Sequence, residues 1–348
     1  MNPAAAGPAR FQDPVGFGMI VGEELKAWTR DRAAQRATQA RVDAFGHDWN
    51  RGPVHRRFDD AMASLPETAG AAQVAETVRS LFADDSWVDA LVGSLARRMQ
   101  ADPFFDPPFR NLNTDIHAGL LVFEDDRVSI AAGVTTALQM AAKKDRPRAA
   151  ASVGFSGQLG VFRFLRAGGA TLSFWEAPPI GPGFTAADAG TCRRTGERRI
   201  ADGEILVIDG RHQSYVIEGM RGSFVLLQAS IAVGQAPLSV EYDSVTGAYV
   251  GCTATGDTSS RIQMLTTLLR KLDHRPAVAA IAGFLDHPDF FVRWHAMKEL
   301  LGLDAASALP HLKRMAATDP HPEPRRAARA VLDRIEASAK PGGRKQAA

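Results

Sequence analysis

The sequence has few cysteines, little net charge and no long apolar run, and each of these features excludes a class of protein. Only two of its 348 residues are cysteine, Cys192 and Cys252, which excludes a disulfide framework and a four-cysteine zinc site. Its 41 Lys and Arg nearly cancel its 39 Asp and Glu, so nucleic-acid binding through bulk positive charge is not expected. It also lacks an apolar run long enough to cross a membrane. The charge-free stretch 222–240 contains glutamines and a proline, and it indicates two strands joined by a turn.

The N-terminal segment does not have the pattern of a secretory signal. Residues 1–10 are rich in alanine and proline, without a basic stretch that leads into an apolar core. Together with the two thiols, this predicts a cytoplasmic protein without membrane or nucleic-acid partners. A composition of 45% hydrophobic and 23% charged residues predicts a folded chain, and the length allows two or three domains.

Residues 1–105 are predicted to form an N-terminal helical region. The stretch from Glu23 to Ala40 suits one long helix, because acidic residues stand at its start and arginines follow. Apolar residues recur every three or four positions in 71–82 and 86–99. We expect these helices to pack as layers rather than to form a chemical site.

Residues 106–255 are predicted to be a β domain. Short β-like runs alternate with glycine-containing turns, which favours a sandwich or barrel over a parallel sheet covered by helices. Gly160–Leu165 and Thr171–Trp175 flank the turn Ala167-Gly168-Gly169, which predicts a hairpin. Three further stretches are interpreted as loops, namely 143–151, 154–157 and 193–199.

The pattern becomes helical again from residue 256 to residue 338. Ser260 and Gln263 have the spacing of a capping box at the start of a helix. A strong helical stripe of apolar residues follows, made of Ile262, Leu265, Leu268, Leu269 and Leu272. The last residues, 339–348, are rich in lysine, glycine and alanine and are predicted to be a disordered tail.

One pattern occurs twice in this C-terminal region. Asp286 precedes Val292-Arg293-x-x-Ala296, and Asp319 precedes Pro324-Arg325-x-x-Ala328. The pattern resembles the helix pair of HEAT repeats. The resemblance implies stacked helix pairs, in which the small alanine allows close approach and the arginine reaches the aspartate of a neighbouring turn. An ordinary helical bundle is the alternative.

The β domain contains a segment that is similar to the second motif of the cupin family. In Gly203-Glu-Ile-Leu-Val-Ile-Asp-Gly210-Arg-His212, a glycine precedes a strand and a glycine turn precedes a histidine. Asp209 replaces the proline of the family, and His212 follows Gly210 one residue too soon. Over about residues 110–250, the resemblance implies a jelly-roll barrel with His212 inside it.

The same resemblance raises the question of a metal centre. Metal-binding cupins take a His-x-His pair and a glutamate from their first motif, whereas His117 stands alone here. An iron, manganese, nickel or zinc ion would need His117, His212 and a carboxylate such as Glu218 or Glu124. Glu124 follows His117 at an odd spacing, which places it on the opposite face of a regular strand.

The sequence therefore predicts an α+β multidomain protein with N-terminal helices, a cupin-like β-barrel (jelly roll) and a HEAT-like helical segment. Because the metal-binding set is incomplete, we expect no cofactor and interpret the protein as a non-catalytic ligand-sensing or protein-interaction module. The C-terminal helices would bind a partner protein. The barrel would hold a small molecule, with four candidate ligand-binding residues: His212, Trp175, Arg163 and Tyr215.

Three alternatives stay open at this point. The first is a metal-dependent cupin oxygenase or isomerase that uses His117 and His212. The second is a Cys–His nucleophile, since Cys192 precedes Arg193 and Arg194, and nearby cations favour a thiolate. The third, implied by the cupin resemblance, is a scaffold that forms homodimers through the outer sheet of the barrel.

Overall fold

A computed structural model describes residues 17–113, 117–137 and 152–339. The chain divides into two compact units, one of residues 1–64 and 84–110 and the other of residues 65–83 and 111–348. The predicted loop at 143–151 lies outside the described residues, as does the predicted tail apart from Ala339.

The helices and strands follow the predicted order of helices, strands and helices. The helices are α1 (Phe17–Arg30), α2 (Arg32–Asn50), α3 (Pro53–Ala63), α4 (Ala71–Phe82), α5 (Ser86–Ala101), α6 (Asp257–Lys271), α7 (Val278–Gly283), α8 (Phe290–Leu303), α9 (Ala305–Thr318) and α10 (Pro322–Ala339). The strands are β1 (Arg110–Asn113), β2 (His117–Glu124), β3 (Val128–Thr135), β4 (Ser152–Phe155), β5 (Leu159–Arg166), β6 (Thr171–Glu176), β7 (Arg193–Arg199), β8 (Ile205–Asp209), β9 (Gln213–Gly219), β10 (Phe224–Ile231), β11 (Leu238–Asp243) and β12 (Tyr249–Ala254). No helix within these described residues is both long enough and apolar enough to cross a membrane.

The first unit contains α1, α2, α3 and α5. The single long helix predicted from Glu23 is wrong, because Asp31 ends α1 and caps α2 by accepting the N–H groups of Ala33 and Ala34 at 2.8 and 2.9 Å. The buried carboxylate of Asp102, just after α5, accepts hydrogen bonds from Thr38 at 2.8 Å and Arg41 at 2.6 Å. These bonds attach α2 to the end of α5.

The strands of the second unit form antiparallel sheets with the strand order of a jelly roll. One sheet has six strands in the order β1-β2-β3-β10-β5-β8, and two three-stranded sheets have the orders β12-β11-β4 and β7-β6-β9. Ser214 on β9 donates its hydroxyl to the carbonyl of Gly154 on β4, so the two smaller sheets lie side by side. Consecutive strands such as β5 and β6 alternate between the two sides, as jelly-roll connections require.

Apolar side chains fill the space between the two sides. Phe164 and Phe224 of the six-stranded sheet pack in one cluster with Leu172 on β6 and with Tyr215 and Ile217 on β9. Helix α4 belongs to this unit and contacts β5 and β10 of the six-stranded sheet.

The predicted jelly roll is confirmed, but two details of the prediction are wrong. The strands of the described residues form three sheets rather than one closed barrel. Strands β5 and β6 do not form a hairpin, because β5 pairs with β8 and β10 whereas β6 pairs with β7 and β9. Gly168, in the connection between them, has a φ of +59°, and an added Cβ would lie 2.3 Å from the carbonyl oxygen of Gly222.

The C-terminal helices α6 to α10 stack as the repeat pattern predicts. Arg293 donates to both carboxylate oxygens of Asp319, at 2.9 and 2.7 Å, and both side chains are buried. Its other nitrogen binds the carbonyls of His287 and Pro288. The predicted contact between the arginine of one repeat and the aspartate of the next turn is thus present.

Helix α6 differs from its prediction at its start and along its exposed face. It begins at Asp257 after Gly256, so Ser260 and Gln263 do not form a capping box. Three leucines of the predicted stripe are largely exposed, namely Leu265 (58%), Leu268 (51%) and Leu272 (67%).

Candidate functional site

A groove of about 480 Å³ lies against the sheet β4-β11-β12. The register places Glu241 opposite Gly154 on β4 and Gly251 on β12, and it places Ser239 opposite Thr253. Residues directly opposite each other point to the same side of a sheet. Glycines therefore form the base of the groove, and the carboxylate of Glu241 and the hydroxyls of serine and threonine residues line it.

The groove lies on the side of the sheet that faces the six-stranded sheet. On β9, Tyr215 packs in the inter-sheet cluster, whereas Val216 packs with Val153 and Phe155 of β4 on the opposite side. Since strand side chains alternate, Gly154 faces the same side as Tyr215. Burial raises the pKa of Tyr215 to about 12, so its phenol stays protonated at neutral pH.

The opposite face of this sheet holds the helical segment. Val240 and Tyr242 alternate with Ser239 and Glu241 on β11, and they pack in one cluster with Phe290 from the start of α8. The ring of Phe290 stacks on that of His321 at 3.6 Å, and Glu323 of α10 accepts the N–H of Ala186 at 3.1 Å. Strand β11 thus contacts the groove with one face and the helical segment with the other.

His117, a predicted metal ligand, lies at the start of β2 on the inter-sheet side. It stands opposite Thr135, which stands opposite Phe224 of the inter-sheet cluster. Its Nδ1 lies 3.2 Å from the Thr135 hydroxyl, and its ring covers Gly133, where an added Cβ would lie 2.4 Å from the imidazole. Burial lowers the pKa of His117 and favours the neutral ring.

The other two predicted metal ligands do not join His117. His212 lies in the turn between β8 and β9, with its Nδ1 3.8 Å from the carboxylate of Asp209. Glu218 is exposed on β9, 3.6 Å from Arg194. Among the residues that the structure describes, no three His, Cys, Asp or Glu side chains are grouped to hold a metal ion. The residues present therefore do not fit the three-ligand centre of the alternative hypothesis.

Of the four predicted ligand-binding residues, only Tyr215 faces the inter-sheet space. Trp175 packs on the opposite side of its sheet and donates its indole N–H to Ser173 at 2.9 Å. Arg163 alternates with the inter-sheet residues Phe162 and Phe164, so it points away from that space. His212 lies in the turn, where its side chain is 40% exposed.

The Cys–His alternative meets a different obstacle. Cys192 is buried, and burial raises the pKa of its thiol, with the negative charge of Asp243 acting in the same direction. Arg193 and Arg194 do not lower the pKa of the Cys192 thiol as expected, because both arginines are exposed on β7 and Arg193 pairs with Glu176 at 2.7 Å. Cys192 is a structural thiol in this fold.

Sequence reasoning missed the groove, because it assigned residues 154–157 to a loop. The signal that was present is alternation on β11. In Leu238-Ser-Val-Glu-Tyr242, apolar and polar residues alternate as in a half-buried strand. The glycines opposite Glu241 leave the space beside it, and their register is set by pairing between distant segments.

Part of the chain is similar to a known family and to solved structures. Residues 252–333 match the family model described as HEAT repeats. No curated protein matches the sequence. Solved structures that match include ectoine synthase from P. lautus, at 9% identity over 34% of this chain and 67% of that one, with a TM-score of 0.21. A cupin domain from Bordetella pertussis Tohama I matches at 10% identity over 35% of this chain and 99% of its own, with a TM-score of 0.22.

A third matching structure is a sugar phosphate isomerase from a cupin superfamily, from Silicibacter pomeroyi. It is 10% identical over 40% of this chain and 77% of its own, with a TM-score of 0.22. At these TM-scores the likeness carries nothing about activity, and the evidence for the fold is the strand order itself.

Proposed function

We propose that this protein is a non-catalytic ligand-sensing module. A small cationic ligand binds in the groove on β4-β11-β12, and the HEAT-like helices on the other face of that sheet pass the binding event to a partner protein. The observation that supports this is the alternation on β11, where Ser239 and Glu241 face the groove while Val240 and Tyr242 pack with Phe290. A ligand would then lie one strand away from the helical segment.

The chemistry of the groove favours an amine that also carries hydroxyls. Among the described residues that line the groove, Glu241 is the charged one, and its carboxylate attracts a cation and repels an anion. The hydroxyls of Ser156, Ser239 and Thr253 can accept or donate hydrogen bonds, and Gly154 leaves room for the ligand near the backbone.

Ethanolamine and glycerol are suitable probes, because they share hydroxyl chemistry and differ in charge. We expect ethanolamine to bind in ligand-observed NMR with millimolar affinity, as suits so small a molecule, and glycerol to bind at least about tenfold more weakly. Glu241→Gln should abolish the difference, since it removes the charge and keeps the shape. Glu336→Gln, at an exposed position of α10, is the matched control and should keep it.

The transmission step has its own measurement. Ethanolamine binding should slow hydrogen exchange in β11 and at the start of α8, around Phe290, in the wild type but not in Glu241→Gln. Equal binding of both probes would contradict the cationic ligand. Binding without any change around Phe290 would contradict the sensing role.

A further inference from the structure

Helix α6 packs several polar side chains and Leu269 inward, but it exposes four large apolar side chains on another face. Thr267 lies 2.9 Å from His295 and donates to Glu299 of α8 at 3.0 Å, and Arg270 also pairs with Glu299. Thr266 is buried. The exposed face carries four large apolar side chains: Met264 (72% exposed), Leu265 (58%), Leu268 (51%) and Leu272 (67%). We call these four residues the α6 stripe.

The position of the α6 stripe in the helical stack explains its exposure. In stacked helix pairs, each pair buries its apolar face against the next, and an outermost pair needs a cap with a polar outer face. Helix α6 begins the helical part of the HEAT match at residues 252–333, so its outer face lies where a preceding pair would stack. That face is apolar, unlike a cap. A partner in solution would supply the missing layer.

The spacing of the stripe identifies the partner as another helix. Leu265, Leu268 and Leu272 follow each other at intervals of three and four, and Arg261 continues the series four residues earlier. This is the a/d spacing of a helix that packs along a second helix with knobs in holes. Helix α6 has 15 residues and is therefore about 22 Å long, enough for two heptads.

The charges around the stripe match an antiparallel copy of the same helix. If the two-fold axis passes between Leu265 and Leu268, Leu265 lies opposite Leu268 of the second copy and Arg261 lies opposite Leu272. Asp273 follows Leu272 in the turn after α6, where it lies 3.6 Å from Arg275 of its own chain. In such a dimer the exposed guanidinium of Arg261 would approach Asp273 of the second copy twice, once on each side of the axis.

We propose that the α6 stripe is a self-association surface, through which two copies of this chain pair α6 with α6 in antiparallel orientation. The interface is isologous and centred between Leu265 and Leu268. This proposal does not depend on the groove or its ligand.

Sedimentation velocity of the full chain tests it over about a hundredfold range of concentration. A single short helix pair is a small interface, so we expect a monomer–dimer equilibrium with a dissociation constant of about micromolar order. Leu265→Glu with Leu268→Glu should weaken it at least about a hundredfold, because carboxylates would face each other at the axis. Val245→Glu, at a residue that is 81% exposed in the β11–β12 turn, is the control and should leave dimerisation unchanged.

A charge exchange tests the orientation. Arg261→Glu and Asp273→Arg should each weaken the dimer, because each places like charges across the interface, and the double variant should restore it. Circular dichroism of every variant checks that the helices are intact. A chain that is monomeric throughout, a dimer that survives both glutamates, or a double variant that is weaker than either single one would overturn the proposal.

Discussion

At the scale of single residues, the two cysteines differ in environment. Cys192 is buried in the apolar cluster that contains Phe155 and Tyr242, and its N–H donates to the carbonyl of Gly247 at 2.9 Å. Burial raises the pKa of its thiol above the ordinary value of 9.0. Cys252 is exposed on β12, beside the groove. Because the thiolate is the reactive form and must also be reached by the reagent, the fold predicts selective chemistry at one of the two positions.

We therefore expect iodoacetamide at neutral pH to label Cys252 in the folded protein and to leave Cys192 unlabelled. Peptide mass spectrometry after digestion measures both sites in one experiment. Unfolding in urea before labelling is the control, and both cysteines should then react. Faster labelling of Cys192 than of Cys252 in the folded protein would reinstate the reactive thiol that the arginines suggested.

At the scale of elements, the two aspartates of the HEAT-like pattern form one buried and one exposed ion pair, and of these two pairs only the buried one uses an arginine of the pattern. Burial alone would raise the pKa of Asp319, but hydrogen bonds from Arg293 and from the N–H of His321 outweigh it and lower the pKa. Asp286 stands at the equivalent place in the other copy of the pattern and pairs with Arg314 at 3.2 Å in solvent. The two aspartates therefore form a natural comparison.

Asp319→Ala should lower the free energy of unfolding by about 3–5 kcal/mol, because it leaves the buried guanidinium of Arg293 without its partner. Asp286→Ala removes an exposed pair and should cost less than about 1 kcal/mol. Urea denaturation followed by circular dichroism measures both at neutral pH, where the Asp319 carboxylate is ionised in the folded and the unfolded chain. Equal losses would show that burial of Arg293 does not set the strength of this contact.

The same elements show what the sequence could predict. The Asp–Arg contact was predictable, because both residues belong to a local repeat with a known geometry. Strands were predictable where a turn sequence bounds an apolar run, as at Asp125-Asp126 between β2 and β3 and at Gly222 before β10. Strand β7 was not, because all seven of its residues are exposed and four of them are arginines, a composition that protects a sheet edge from further pairing.

Pairing between elements was harder to predict than the elements themselves. Nothing local distinguishes the connection at Gly168 from a hairpin, because sheet membership depends on partners such as β8 and β10 that lie far away in the chain. The candidate site was the hardest feature to predict, because the space beside Glu241 depends on glycines of two other strands that lie opposite it. The α6 stripe was visible in the sequence, but its exposure was not, because the polar partners of α6 lie on α8.

At the scale of the whole molecule, three fully or partly buried histidines make the stability of the second unit depend on pH. Burial lowers the pKa of three of them: His117 on β2, His295 on α8 and His321 before α10. His321 stacks on Phe290, and its Nδ1 accepts the N–H of Glu323 at 3.2 Å, which requires a ring without a proton on that nitrogen. Asp319, Glu323 and Arg293 also act on it electrostatically.

The sign of the effect follows from where the protons bind. An unfolded histidine takes up a proton near pH 6.5, whereas these three stay neutral to a lower pH in the folded chain. The stability they contribute is thus complete above about pH 6.5 and is lost as the pH falls through the unfolded value toward the folded one. Each histidine changes the free energy of unfolding by up to about 1.4 kcal/mol per pH unit in that window.

We therefore expect the urea concentration at the unfolding midpoint of the wild type to decrease as the pH is lowered from about 7.5 to 5.5. The decrease should be smaller for His321→Gln. Glutamine can accept the hydrogen bond from the Glu323 N–H but does not titrate. The variant should therefore be destabilised relative to the wild type most strongly at the higher pH. His274→Gln, at an exposed position after α6, is the control and should follow the wild type at every pH. If His321→Gln runs parallel to the wild type, His321 does not carry the pH dependence.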